Sequence, residues 1–250
     1  MTPGTIPPPY ESTLHAACQQ GHENIVVELI NHGVDVNSGN GTSGGDALQA
    51  ASRAGQESVD DLLLRSGSNV NVHGGRYGSA LQAACAGMHE SIVQKLRTNG
   101  ALVNVTGGKY GTALQAASRI GDLDIVRVLL DNGADVNTEC GQYGNHLQAA
   151  CRGGHTEIVK MLLACGANVN AQGGRYINAL RAASSGGYSD MSASYSIGML
   201  CRIFESSPFD ISAAAMYCTT ISKSILYLHY CHYIDQPEGV LAATPAESEY

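Results

Sequence analysis

The stretch "GGKYGTALQAAS", residues 107–118, places three glycines within five residues directly ahead of an alanine-rich run of helical character. It returns as "GGRYGSALQAAC" at 74–85, "CGQYGNHLQAAC" at 140–151 and "GGRYINALRAAS" at 173–184. A loop that cradles a phosphate carries the G-x-x-x-x-G-K-[ST] spacing, which is absent here, and has no reason to recur four times. The recurring glycines read instead as joints, permitting turn geometry where side chains would clash.

Outward from that stretch, Leu14, Leu48, Leu81, Leu114, Leu147 and Leu180 are spaced 34, 33, 33, 33 and 33 residues apart. Nineteen residues after each of the first five stands Gly33, Gly67, Gly100, Gly133 or Gly166, and four further on Asn37, Asn71, Asn104, Asn137 or Asn170. Three columns in one register define a repeat. Each unit reads as two short antiparallel helices and a projecting finger loop. The first helix starts at a polar cap such as Ser79 or Thr112, is built of Leu, Ala and Cys so that neighbours can approach closely, and ends near Gly55, Gly121, Gly154 or Gly187. The second presents one apolar face, as in Ile125, Val126, Leu129 and Leu130, which the next unit must cover. The following glycine supplies the left-handed residue that ends it.

"SRIGDLDIVRVLLDNGADVN" at 118–137 and "CRGGHTEIVKMLLACGANVN" at 151–170 resemble ankyrin repeats, a family with the same unit length. The resemblance covers residues 12–188, as five full units and a partial sixth. It implies an all-α solenoid of stacked helix-turn-helix units with projecting fingers. The family's Thr-Pro-Leu-His opening is replaced by forms such as Thr112-Ala113-Leu114-Gln115, and with the "GGxYG" finger this variant resembles arrays of filamentous fungi. Those arrays accompany nucleotide-sensing domains, and no such domain is visible here.

Bulk properties narrow the partner classes, and with no recurring acid pair, nucleophile with base, or metal cluster no catalytic residues are expected. A formal charge of −8 and a pI near 5.5 argue against a nucleic-acid binder, which would show a basic face. "MTPGTIPPPY" lacks the charged and apolar regions of a secretory signal, so residues 1–11 are expected to form a flexible leader and the chain to work in the cytoplasm or nucleus. Cys18, Cys85 and Cys151 share one helical position with Ser52, Ser118 and Ser184, which marks them as small packing residues. With no C-x-x-C pair, neither a zinc ribbon nor a redox centre is supported. His229, Cys231 and His232 lack a second pair at zinc-finger spacing. No metal or cofactor is expected.

"SGNGTSGGD", 38–46, satisfies both G-x-G-x-x-G and G-x-S-x-G, but each motif requires a strand before it and a helix after it in a parallel sheet. A hydrolase using Ser43 is therefore the weak rival to a binding module, and a sensor fragment of a larger receptor-like protein is another.

A partner is expected on the concave side, where fingers and first helices meet. Two finger columns offer aromatic and basic anchors: Tyr77, Tyr110, Tyr143 and Tyr176, preceded by Arg76, Lys109, Gln142 and Arg175. Arg53, Arg119 and Arg152 occupy one position of the first helix that the family exposes on that side. Together they make a basic stripe suited to an acidic or phosphorylated segment of another protein, bound by a monomer. The rival reading gives the tyrosines a loop-stiffening role. Gln49, Gln82, Gln115 and Gln148 are expected to brace the turn.

Two residues break the core pattern: Asp60 stands where Val26, Val93, Val126 and Val159 are found, and Arg97 where Leu64, Leu130 and Leu163 are found. Local packing should suffer there. After 183–190 the register collapses, and residues 191–250 hold two of the 30 glycines but half of the 12 tyrosines. Three readings of the 189–250 extension compete: an irregular helix folded over the end of the stack, an extension with little order, or a membrane helix at 211–234. The serines, threonines and histidines of 211–234 weaken the last. The final residues, "DQPEGVLAATPAESEY" at 235–250, are expected to be disordered.

Overall fold

The computed structural model describes residues 9–39 and 45–186. Ser43, the 211–234 run and the His229, Cys231, His232 cluster lie outside the described residues, as does the rest of the extension from residue 187. Among the described residues the chain forms eleven helices, and its only β structure is isolated bridges in the fingers. The helices come in pairs: α1 (Pro9–Gln20) with α2 (Glu23–Asn31), α3 (Ala47–Ala54) with α4 (Glu57–Arg65), α5 (Ala80–Gly87) with α6 (Glu90–Thr98), α7 (Ala113–Ile120) with α8 (Leu123–Asp131), and α9 (His146–Gly153) with α10 (Thr156–Ala164). A sixth unit opens with α11 (Ala179–Ser185). The first helix begins at Pro9, inside the stretch 1–11 expected to be a leader. Proline suits that first position because its missing N–H would be unpaired there anyway.

The first helices pack side by side in chain order, α1 through α11, and do so more closely than the second helices. Their composition explains this. Ala51, Ala84 and Ala117 are fully buried between neighbours, next to Ser52, Cys85 and Ser118, so backbones come together without bulky side chains between them. Burial pushes the thiols of Cys18 and Cys151 up to about 12, and that of Cys85 upward too, so these cysteines act as small packing groups. Leu14, Leu48, Leu81, Leu114 and Leu147 are each 1% exposed and form a spine along the inner edge.

Capping follows the repeat. Asp46, Ser79, Thr112 and Asn145 each accept a hydrogen bond from the backbone N–H three residues on, that of Gln49, Gln82, Gln115 or Gln148. Second helices end at Gly33, Gly67, Gly100, Gly133 and Gly166, all with φ between 79° and 88°. The next N–H reaches back to the last turn, as from Ala134 to the Leu129 carbonyl at 3.0 Å.

The asparagine column joins each unit to the next. Asn104 donates through Nδ2 to the Gly133 carbonyl at 2.9 Å and accepts through Oδ1 from the Asp135 N–H at 2.9 Å. Asn37, Asn71 and Asn137 make the same pair of bonds to the units that follow them. One side chain therefore satisfies both a donor and an acceptor at the neighbouring helix end.

The two breaks in the core pattern are rescued unequally. Asp60 is fully buried; its Oδ1 accepts from the Ser52 hydroxyl at 3.0 Å, while its Oδ2 has no partner. Burial pushes its carboxyl up to about 7, against the lowering effects of Ser52 and of Lys95. Arg97 stands in a column that is only half-buried, like Leu64, Leu130 and Leu163; its head donates to the Ala101 carbonyl and, at 3.5 Å, to Asn132 Oδ1, while its Nε is buried without a partner.

Candidate functional site

Four described fingers close on themselves across five residues, between Gly74 and Gly78, Gly107 and Gly111, Cys140 and Gly144, and Gly173 and Ile177. In the finger at 107–111 the Gly107 N–H donates to the Gly111 carbonyl at 2.7 Å and the Gly111 N–H returns the bond at 3.1 Å. Gly74 and Gly78 do the same in the preceding finger. The second glycine serves close approach: a Cβ on Gly108, at φ 61°, would lie 2.4 Å from the Tyr77 carbonyl carbon. Fingers therefore lie backbone against backbone. Lys109 N–H donates to the Arg76 carbonyl at 2.7 Å, and Arg175 N–H to that of Gln142 at 3.0 Å.

The glutamine column fixes the fingers to the first helices. Gln82 Nε2 donates to the carbonyls of Gly111 at 2.8 Å, Gly107 at 3.2 Å and Val105 at 3.3 Å. Gln115 reaches Cys140 at 3.0 Å, and Gln148 reaches Ile177 and Ala171 at 3.1 Å and 3.2 Å. The brace expected within a turn thus spans two units, because each carboxamide leaves its own helix and holds the following finger. A further brace had no counterpart in the sequence reading. His146, fully buried, donates from Nδ1 to the Val136 carbonyl at 2.9 Å and accepts at Nε2 from the Thr112 hydroxyl at 2.8 Å. Burial holds its pKa below the usual imidazole value, consistent with this neutral form. Its signal was a histidine at a position where Ala47, Ala80, Ala113 and Ala179 stand in four other units.

On this rigid row the tyrosines and cations come together. The Arg53 guanidinium carbon lies 5.7 Å from the Tyr77 ring centroid, Arg119 lies 5.6 Å from Tyr143, and Arg152 lies 5.7 Å from Tyr176. Finger cations add to this, with Arg76 at 6.0 Å from Tyr77, Lys109 at 5.4 Å from Tyr110 and Arg175 at 6.0 Å from Tyr176. A cation this close to an aromatic face is held by the ring quadrupole. Tyr143, 7% exposed, stacks on Tyr176 with centroids 6.3 Å apart, and Arg152 Nε donates to the Tyr176 hydroxyl at 2.9 Å.

The tyrosines thus serve as platforms that pack and orient cations, an arrangement compatible with the loop-stiffening reading. Gln142 is exposed and brings no charge. Tyr110 has its own neighbour Lys109 but no arginine from a first helix, because Ala86 occupies the position of Arg53, Arg119 and Arg152. That gap is legible in the sequence as the break between Arg53 and Arg119, in a column that also holds Gln19 and Ser185 at its ends.

Among the described residues no group of three or more His, Cys, Asp and Glu is placed to hold a metal ion, and no helix is long and apolar enough to cross a membrane. No curated protein matches the chain. A family model described as ankyrin repeats, in three copies, matches residues 6–74 and 80–173. Ankyrin repeats are generally protein-interaction modules and typically non-catalytic. With paired helices, left-handed glycine ends, bridging asparagines and a match over more than half of its length, this chain belongs to the ankyrin-repeat family.

Proposed function

We propose that this chain is a non-catalytic module that holds a negatively charged segment of another protein against its fingers and first helices. The observation that carries the reading is the set of arginines laid on finger tyrosines, Arg53 on Tyr77, Arg119 on Tyr143 and Arg152 on Tyr176. A guanidinium fixed in place loses little entropy when it meets an anion, and it presents a planar fork that matches a carboxylate or phosphate. On a molecule of net charge −8 this row is a local reversal of sign, which favours acidic partners over basic ones.

The test replaces Arg53, Arg76, Lys109, Arg119, Arg152 and Arg175 with glutamate in the full chain. Binding of acidic peptides, read by fluorescence anisotropy at two salt concentrations, should fall about a hundredfold or more and lose its salt dependence. Circular dichroism checks that the variant keeps its helices. A folded variant that still binds acidic peptides as the parent does would remove the row from the function.

A further inference from the structure

The first-helix column runs Gln19, Arg53, Ala86, Arg119, Arg152 and Ser185, so its arginines are interrupted at position 86. Each arginine lies over the tyrosine 24 residues ahead of it, so by the same register Ala86 belongs to Tyr110. Ala86 is itself buried, and Tyr110 is half-buried. The row therefore divides into a station at Tyr77, a stretch at α5 and Tyr110 that has Lys109 but no first-helix arginine, and a second station at Tyr143 and Tyr176.

Spacing determines what chain could follow this row. Packed helices stand about 8–10 Å apart, so Arg53 on α3 and Arg119 on α7 are separated by two such steps and Arg119 and Arg152 by one. A polyproline-II chain turns once in three residues and rises about 3.1 Å per residue, which returns a side chain to the same face about every 9 Å. A β-strand alternates faces every residue, so its third residue points away. An α-helix repeats about every 5.4 Å and falls out of step. Of the regular backbones, the polyproline-II form matches the period of the stack.

We propose that this face binds an acidic polyproline-II segment of a partner protein, with carboxylates on Arg53, Arg119 and Arg152 and a residue that meets no guanidinium crossing Ala86 beside Tyr110 and Lys109. Along the segment, the residue opposite the gap comes about three positions after the first carboxylate, and the other two carboxylates about six and nine positions after it. The proposal rests on the reading above and adds spacing to it. The column arginines stand one per helix, each offering a separate carboxylate site; Arg76 and Arg175 share Tyr77 and Tyr176 with Arg53 and Arg152, so phosphoserine peptides test the choice of anion. The Nε atoms of Arg53 and Arg119 are buried without a partner, which leaves the terminal amino groups as the end-on fork that a single carboxylate matches. Positive potential at the second station shows in Tyr176: burial raises its hydroxyl pKa, but the Arg152 hydrogen bond and the charges of Arg152 and Arg175 outweigh that and lower it.

The experiment measures binding of the full chain to proline-rich peptides of equal charge, each with three glutamates. In one they stand at peptide positions one, seven and ten, in its reverse at one, four and ten, and in the control at one, two and three. One of the first two should bind about tenfold tighter than the control, as expected when linked contacts act together. Arg53→Ala should erase that preference. Ala86→Arg should add about fivefold for a peptide that carries a fourth glutamate opposite the gap. Equal binding of all three spacings would overturn the proposed register while leaving the acidic-segment reading standing. No binding by any of them would overturn both. Phosphoserine peptides binding about tenfold tighter than their glutamate counterparts would overturn the choice of carboxylate.

Discussion

The second and third units differ from the fourth and fifth in a way that shows how much irregularity one repeat tolerates. In α7 to α10 the apolar core columns keep their usual residues, with Leu114, Ile125, Val126, Leu129, Leu147, Ile158 and Leu162 all buried, and the one exception, His146 in an alanine position, has hydrogen-bond partners at both ring nitrogens. In α3 to α6 the lapses collect: Asp60 in a valine position, Arg97 in a leucine position, Ala86 for arginine and Met88 for glycine. Both regions keep the same helices and the same asparagine and glutamine bridges. Because each unit contacts only its neighbours, a local fault is absorbed locally and costs stability there without changing the path of the chain.

The largest effect should come from breaking the regular region. Leu114 is 1% exposed and lies between neighbouring first helices, so Leu114→Ala leaves a cavity and should cost roughly 2–5 kcal/mol. Chemical denaturation followed by circular dichroism reads this directly. A variant that melts like the parent would mean that the fourth unit does not hold the array together.

Next in size is a repair of the irregular region. Asp60 packs against Ser52 of α3 and feels Lys95 of α6, with Glu57 and Asp61 on its own helix and the buried thiol of Cys18 on α1 nearby. Its folded pKa of about 7 lies above that of an unfolded aspartate, near 3.9. Between those two values the folded chain holds a proton that the unfolded chain has released, so stability falls as pH rises from about 4 to about 7. Asp60→Val should therefore stabilise the protein by a few kcal/mol at pH 8, less at pH 5, and flatten the pH profile between them. Thermal midpoints at the two pH values decide it. Equal gains at both would show that Asp60 does not carry the proton.

Most of the fold was legible because its causes repeat. Leucine, glycine and asparagine recur in a fixed register, each set by a local requirement: burial, a left-handed helix end, or a bridge to the next helix. The finger glycines were also legible as joints, though the close approach of Gly108 to the Tyr77 backbone needed three dimensions. The candidate site was legible only as a list. Sequence aligned Arg53 with Arg119 and Arg152 but did not show that each lies on a tyrosine 24 residues ahead, because that pairing depends on how a finger folds back across the next helix. The reach of the glutamines into the following finger, and the burial of His146 against Thr112, were hidden for the same reason.

The smallest expected effect concerns Met88. It caps α5 at φ 63°, where Gly55, Gly121 and Gly154 cap the equivalent helices with φ of 78°, 104° and 76°. A side chain in that left-handed conformation costs about 1–2 kcal/mol, and Met88 is 58% exposed and recovers little of this by burial. Register explains why it is accommodated. A Cβ on Gly55 would lie 2.5 Å from the His89 ring and one on Gly121 2.2 Å from the His155 ring, whereas the residue that faces Met88 in the same register is the shorter Asp122. Met88→Gly relieves the backbone but frees the unfolded chain, which offsets about 0.4–1 kcal/mol of the gain. The net should be a stabilisation of less than about 1 kcal/mol, visible as a small upward shift of the denaturation midpoint with an unchanged slope. A loss of stability would mean that the Met88 side chain contributes packing to the third unit that outweighs its backbone strain.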